Sequence, residues 1–231
     1  MKFDKTTIAF DGDDTLWENE RHYEDLDFAI NKFLNSIHID ILKLRNIQTD
    51  ILIKNIGLMG YGMKVYILSF IESFCKVYPQ KSAKNIIKLI EISHPFINIP
   101  AILFPNTQNT INYLSSKYNL ILITKGDLVE QNYKINSSGL KSNFNSIHIV
   151  ERKNKQTYQS ILENLHIKPD DFIMIGNSYN SDIKPVIELG AKAIYIPNKI
   201  NPVLEKRPNH QQLSNNKIIV IPNIEDLTKL F

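Results

Sequence analysis

Short apolar runs rich in β-branched residues recur along the chain, at 6–10, 120–123, 147–150, 172–175, 193–196 and 218–221. None alternates strictly between apolar and polar positions, the pattern of strands buried on both faces of a parallel sheet. Between most of them lie helical spacings, such as Tyr158/Ile161/Leu162/Leu165 and Ile183/Val186/Ile187, the latter stopping at Gly190. Alternating strands and helices predict an α/β fold, a doubly wound, mainly parallel Rossmann-like sheet with helices on both faces.

One stretch breaks the alternation. From Glu18 to Pro100 the first strand is followed only by helical patterns: Leu26/Ala29/Ile30/Phe33/Ile37, a stretch from Val65 to Val77 that is apolar on nearly all sides, and Ala83/Ile86/Ile87/Ile90. This stretch reads as an inserted all-helical domain, a cap over 18–100, with residues 1–17 and 101–231 forming the α/β core. The turn-rich segment 98–106 closes the insertion.

Composition narrows the partners more than the fold. With 27 Lys+Arg against 24 Asp+Glu in 231 residues the net charge is only +3, and no block of like charge suggests a nucleic-acid or membrane surface. A small molecule is the expected partner. No apolar stretch approaches the roughly 20 residues a membrane span needs, and Asp4, Asp11, Asp13 and Asp14 leave no room for a secretory apolar region near the start. Cys75 has no second cysteine to pair with, which suits a reducing, cytoplasmic setting. The dispersed histidines offer no zinc spacing.

The chemistry concentrates in Asp11-Gly12-Asp13-Asp14-Thr15, directly after the first strand pattern. Ligands of open α/β sheets bind at the carboxyl ends of the strands, so Asp11 is well placed. Two carboxylates at i and i+2 on a tight turn can share one crevice, one attacking phosphorus while the other moves a proton. Their repulsion calls for a cation, and Mg²⁺ suits a site of carboxylates, phosphate oxygens and water. An EF-hand is excluded, because Leu16 and His22 stand where it needs Gly and Glu.

Three later segments join this loop. Thr124-Lys125-Gly126 ends the second strand pattern with a hydroxyl and a glycine turn, both suited to phosphate oxygens, as is Thr15. Arg152, Lys153 and Lys155 follow the third, where one cation can balance the nucleophile and the transferring group. Gly176-Asn177 and Asp182 follow the fourth and offer oxygen ligands to a metal.

In this order the segments resemble the haloacid dehalogenase superfamily of hydrolases across essentially the whole chain. Its first motif, Asp-x-Asp-x-Thr-Leu after a strand, matches Asp11, Asp13, Thr15 and Leu16; its second matches Thr124; its basic third matches Lys153, with Lys155 as alternative. Its fourth usually reads Gly-Asp with a further Asp, and here reads Gly176-Asn177 with Asp182, one negative charge fewer. The resemblance implies a Mg²⁺-dependent phosphomonoester hydrolase. Asp11 is its nucleophile, forming an aspartyl phosphate, and Asp13 its acid/base. Thr124 and Lys153 stabilise the transferring group, and Asp11, Asp13, Asn177 and Asp182 surround the metal. A small phosphorylated metabolite is the implied substrate and a monomer or homodimer the implied assembly.

Within the implied cap, the glycines of Gly57-Leu58-Met59-Gly60-Tyr61-Gly62-Met63-Lys64 predict a helix break that turns Tyr61 and Lys64 toward the substrate. Among rivals in the same superfamily, a 2-haloacid dehalogenase needs no second acid, which Asp13 argues against. A phosphomutase shares every motif. A non-catalytic binding protein, a rival of a different class, would read Asn177 as the mark of a decaying site, against which Asp11, Asp13, Thr124 and Lys153 are all retained.

Overall fold

The structure, a computed structural model, describes residues 6–81, 83–200 and 207–231. The first five residues and 201–206 of the expected core segments, and residue 82 of the expected cap, lie outside them. Two compact units result: one takes the chain up to Glu20, Pro100–Lys125 and the chain from Lys134 onward, and the other takes Arg21–Ile99 and Gly126–Tyr133.

The first unit is a parallel sheet of β1 (Thr7–Phe10), β2 (Asn119–Lys125), β3 (Ser146–Val150), β4 (Phe172–Gly176), β5 (Lys192–Tyr195) and β6 (Ile218–Val220), in the order β3-β2-β1-β4-β5-β6. Strand order reverses beside β1, so the crevice between the ends of β1 and β4 is the switch point of a doubly wound sheet. Register levels the strand ends there, Phe10 lying opposite both Leu122 and Ile175. Side chains alternate across the sheet. Ile8, Phe10, Leu120 and Leu122 join one apolar layer with Ile111 and Leu114; Ala9, Ile121, Ile123 and Met174 join the other with Tyr158, Ile161 and Leu162. Burial on both faces explains why the strands read as continuous apolar runs.

Four helices make up most of the second unit: α1 (Glu20–Ser36, from its second residue), α2 (Ile41–Met59), α3 (Met63–Val77) and α4 (Ala83–Ser93). Their own core contains Leu26, Ile30, Leu34, Leu44, Leu52, Phe70, Phe74 and Leu89. The all-helical reading of this stretch holds. The first unit adds α5 (Thr107–Ser115), and α6 (Leu128–Ser137) contains the boundary between Tyr133 and Lys134. The sequence pattern assigns 126–133 to the core, whereas these residues cluster with the helical unit. Hydrogen bonding accounts for the difference: Glu130, at 5% exposure, accepts from the main-chain N–H groups of Met63 and Lys64 at 2.9 and 3.2 Å. Lys64 Nζ pairs with Asp127 Oδ1 at 2.8 Å, tying the start of α6 to the start of α3. Among the described residues, no helix is long and apolar enough to cross a membrane.

Candidate active site

Asp11 follows β1 directly, its N–H donating to Ile175 O on β4 at 2.9 Å. The loop beyond it turns tightly because Gly12 lacks a side chain: a Cβ there would lie 2.5 Å from the Trp17 ring and 3.2 Å from Thr124 Oγ1. Leu16 N closes the turn on Gly12 O at 2.8 Å. Asp14 takes the left-handed conformation, φ 60°, which Asp tolerates better than most residues. Its carboxylate accepts from the N–H groups of Asn19 and Glu20, capping α1. Burial, with the charge of Asp13, pushes the Asp14 carboxyl up to about 6.

At the bottom of the crevice, Lys153 Nζ bridges two buried carboxylates, 2.5 Å from Asp11 Oδ1 and 2.8 Å from Asp182 Oδ1. Asn154 explains why Lys153 rather than Lys155 reaches this point. Its side chain accepts from Thr157 N at 2.9 Å and caps α7 (Lys155–Asn164), so Lys153 precedes the cap outside the helix and Lys155 sits exposed in the first helical turn.

Asp182 arrives through a single π turn, Tyr179–Ile183, a form found often at functional sites. Ser178 N donates to Asp182 Oδ2 at 3.0 Å and Tyr158 Oη donates to Ser181 O at 3.0 Å. Gly176 makes room, since a Cβ there would fall 2.3 Å from Asp182 Oδ2. Two carboxylates against one ammonium leave a surplus negative charge away from water. Burial and the Asp182 charge therefore push the Asp11 carboxyl up to about 7 despite Lys153. Burial alone would weaken the Lys153 ammonium, yet Asp11 and Asp182 outweigh it and hold its pKa above the ordinary lysine value.

Asn177 faces the other side of Asp11. One heavy atom of its side-chain amide lies 3.2 Å from each of Thr15 Oγ1, Asp11 Oδ2 and Asp13 O. A nitrogen in that position donates to these oxygens. An oxygen there makes a cluster of hard donors that a cation would hold together, and the two arrangements differ by half a turn of the amide. This donor set fits Mg²⁺ through one carboxylate, one main-chain carbonyl and one amide. Asp182 is committed instead to Lys153 and Ser178, and the Asp13 side chain points elsewhere, accepting from Lys134 Nζ at 2.8 Å and Trp17 Nε1 at 2.7 Å.

Thr15, Thr124, Lys153, Asn177 and Asp182 thus surround Asp11 and Asp13 in one unit, and Lys125 reaches Ser181 Oγ at 3.4 Å from the strand end beside them. Gly126, Tyr61 and Lys64 belong to the other unit, where Gly126 has φ 150° and Lys64 pairs with Asp127. Lys134 lies outside the segments that the sequence singles out, and α6 carries no apolar face to mark it: Glu130, Gln131, Lys134 and Ile135 are buried, whereas Leu128, Val129 and Tyr133 are exposed.

A sequence model for haloacid dehalogenase-like hydrolases matches residues 5–190. A glyceraldehyde 3-phosphate phosphatase from Methanothermobacter thermautotrophicus is 27% identical over 133 residues, 55% of this chain and 58% of that protein, so the match spans little more than half of the relative's length. Among solved structures, a haloacid dehalogenase-like family hydrolase from Xanthomonas campestris is 29% identical with a TM-score of 0.84, covering 97% of this chain and 89% of that one. The putative HAD-hydrolase YfnB from Bacillus subtilis, solved bound to magnesium, has a TM-score of 0.67 at 18% identity over 97% of each chain, a likeness of fold. With the match running from β1 past the π turn that carries Asp182, the chain belongs to the haloacid dehalogenase-like hydrolases.

Proposed function

We propose that the protein is a Mg²⁺-dependent phosphomonoesterase acting on a small phosphorylated metabolite through an aspartyl phosphate on Asp11. The observation that carries this reading is the separation of two nearby carboxylates into different environments. Asp11 is buried against Lys153, while Asp13 is held apart by Lys134 and Trp17. Carboxylates so divided suit different tasks, one attacking phosphorus and one exchanging a proton. Asp11 bonds to phosphorus as the leaving oxygen departs with the Asp13 proton, and Asp13 then takes a proton from the water that releases phosphate. Lys153 and Thr124 bind the equatorial oxygens, chiefly electrostatic work.

Asp11, the Asp13 carbonyl and Asn177 would hold the metal, with Asp182 acting through Lys153. Bound there, Mg²⁺ would neutralise the surplus negative charge and polarise the phosphoryl group. Supporting the substrate class is the phosphatase relative, which makes three-carbon phosphates the first compounds to try. The helical unit, with Tyr61 and Lys64, serves as the selective cap in this reading. Hydrolysis of a phosphometabolite panel, with Mg²⁺ or with EDTA, tests the proposal. Metal-dependent release of phosphate that Asp11→Asn abolishes is expected, and an undiminished rate in that variant would overturn it.

A further inference from the structure

Lys134 lies outside every motif that locates the site, yet its ammonium is spent there. At 9% exposure it donates to Asp13 Oδ1 at 2.8 Å and to Asn19 Oδ1 at 2.7 Å. The same Asp13 oxygen accepts from Trp17 Nε1 at 2.7 Å, and the Trp17 ring is itself fully buried against Gly12. From these contacts we infer that Lys134 is a positioning residue for proton transfer, fixing the Asp13 carboxyl plane together with Trp17. The inference rests on the reading of Asp13 as the acid/base.

The physical reasoning concerns freedom of rotation. A carboxyl group turns about its terminal torsion in a broad, roughly two-fold well, whereas proton transfer needs a heavy-atom approach of about 2.6–3.2 Å in a fixed direction. Two donors on Oδ1, one a charged lysine on a helix and one an immobile indole, remove that freedom. An oxygen already accepting from an ammonium and an indole is a poor carrier of the mobile proton. In the first step the Asp13 O–H bond breaks as its proton passes to the leaving oxygen and the P–O bond to that oxygen breaks. Asn19 anchors the ammonium from behind.

A residue that merely pins α6 to the loop would, on removal, slow all substrates alike. A residue that aims the acid matters in proportion to how badly the leaving group needs a proton. The test compares kcat/KM of wild type, Lys134→Met and Lys134→Arg on phenyl, 4-nitrophenyl and 2,4-dinitrophenyl phosphate with Mg²⁺. These substrates share a shape and differ in leaving-group basicity. General-acid assistance is worth about 10²–10⁴-fold. Misaiming it in Lys134→Met should therefore lower the phenyl phosphate rate about 10–100-fold and the dinitrophenyl rate no more than about threefold. Lys134→Arg, still a cation and donor, should recover most of the phenyl phosphate rate. A loss of equal size across the series, or none, overturns the inference. A wild type inactive on all of them instead overturns the underlying phosphatase reading. Should Lys134→Met fail to fold, Asn19→Ala is expected to give a smaller loss with the same leaving-group dependence, and a uniform loss there counts equally against the inference.

Discussion

Replacing Lys153 by Met removes the one ammonium shared by Asp11 and Asp182 while keeping a chain of similar length in a buried slot. At an effective dielectric near 20, two unit charges about 4 Å apart interact by about 4 kcal/mol, and Lys153 lies within 2.8 Å of both carboxylates. Much of that attraction offsets the cost of burial, so breaking the arrangement should cost about 3–5 kcal/mol, a large fraction of the roughly 5–15 kcal/mol holding a typical protein folded. Protonation offers an escape. Burial and Asp182 already hold Asp11 at about 7, above the ordinary 3.8, and without Lys153 the folded-state value must rise further. A carboxyl whose folded pKa is raised binds its proton more tightly when folded, so stability falls as pH climbs from the unfolded value toward the folded one. Lys153→Met should therefore be least destabilised at pH 5 and most destabilised at pH 8. Urea unfolding at both pH values in EDTA measures this. The same destabilisation at pH 5 and pH 8 would refute the electrostatic reasoning and leave packing as the explanation. Activity should fall at least about 10²-fold, the usual scale for losing one preorganised charge or donor in a buried site.

The other buried contacts yield further expectations. Gly176→Ala should displace Asp182, since the new Cβ would stand 2.3 Å from Oδ2; a loss of about 1–3 kcal/mol in chemical denaturation should accompany loss of turnover, and an unchanged protein would contradict the close approach. Asp14→Asn keeps an acceptor for Asn19 and Glu20 without the charge. With the Asp14 carboxyl at about 6, its ionisation penalises the fold only as pH rises from about 4 through about 6. Asp14→Asn should thus raise Tm at pH 8 and leave it unchanged at pH 4, and the opposite order would exclude a desolvation penalty. Asn177→Asp should place a further carboxylate beside Asp11, lowering Tm in EDTA and enlarging the rise in Tm with added Mg²⁺. Identical Mg²⁺ titrations for the two proteins would count against Asn177 as a ligand.

Much of this was open to a reading of residues because the information is local. Each strand carries its own apolar run, and Asp11, Thr124 and Gly176 stand at strand ends that a parallel sheet must bring level. Lys153 was separable from Lys155 by a further local signal, the capping Asn154 between them. Lys134 was hidden for the opposite reason: its partner Asp13 is 121 residues away, and one lysine among 27 basic residues announces nothing. Nor did Asp182 advertise its position, where its carboxylate fills the space that a Cβ on Gly176 would take. Residues 126–133 read as core because they follow β2, whereas Glu130 and Asp127 spend their charges on α3. The pairing of Lys64 with Asp127 is equally nonlocal, because only the folded chain supplies the position of the acidic partner.

Covalent catalysis by Asp11 is the central claim, and trapping the intermediate tests it most directly. Rapid acid quench of the enzyme turning over an aryl phosphate with Mg²⁺, followed by peptide mass spectrometry, should find one added phosphoryl group on the peptide that contains Asp11. Hydroxylamine should remove it, and Asp11→Asn should never acquire it. Substrate consumed with no phosphorylated peptide at any quench time, or the group found on another residue, would contradict the account.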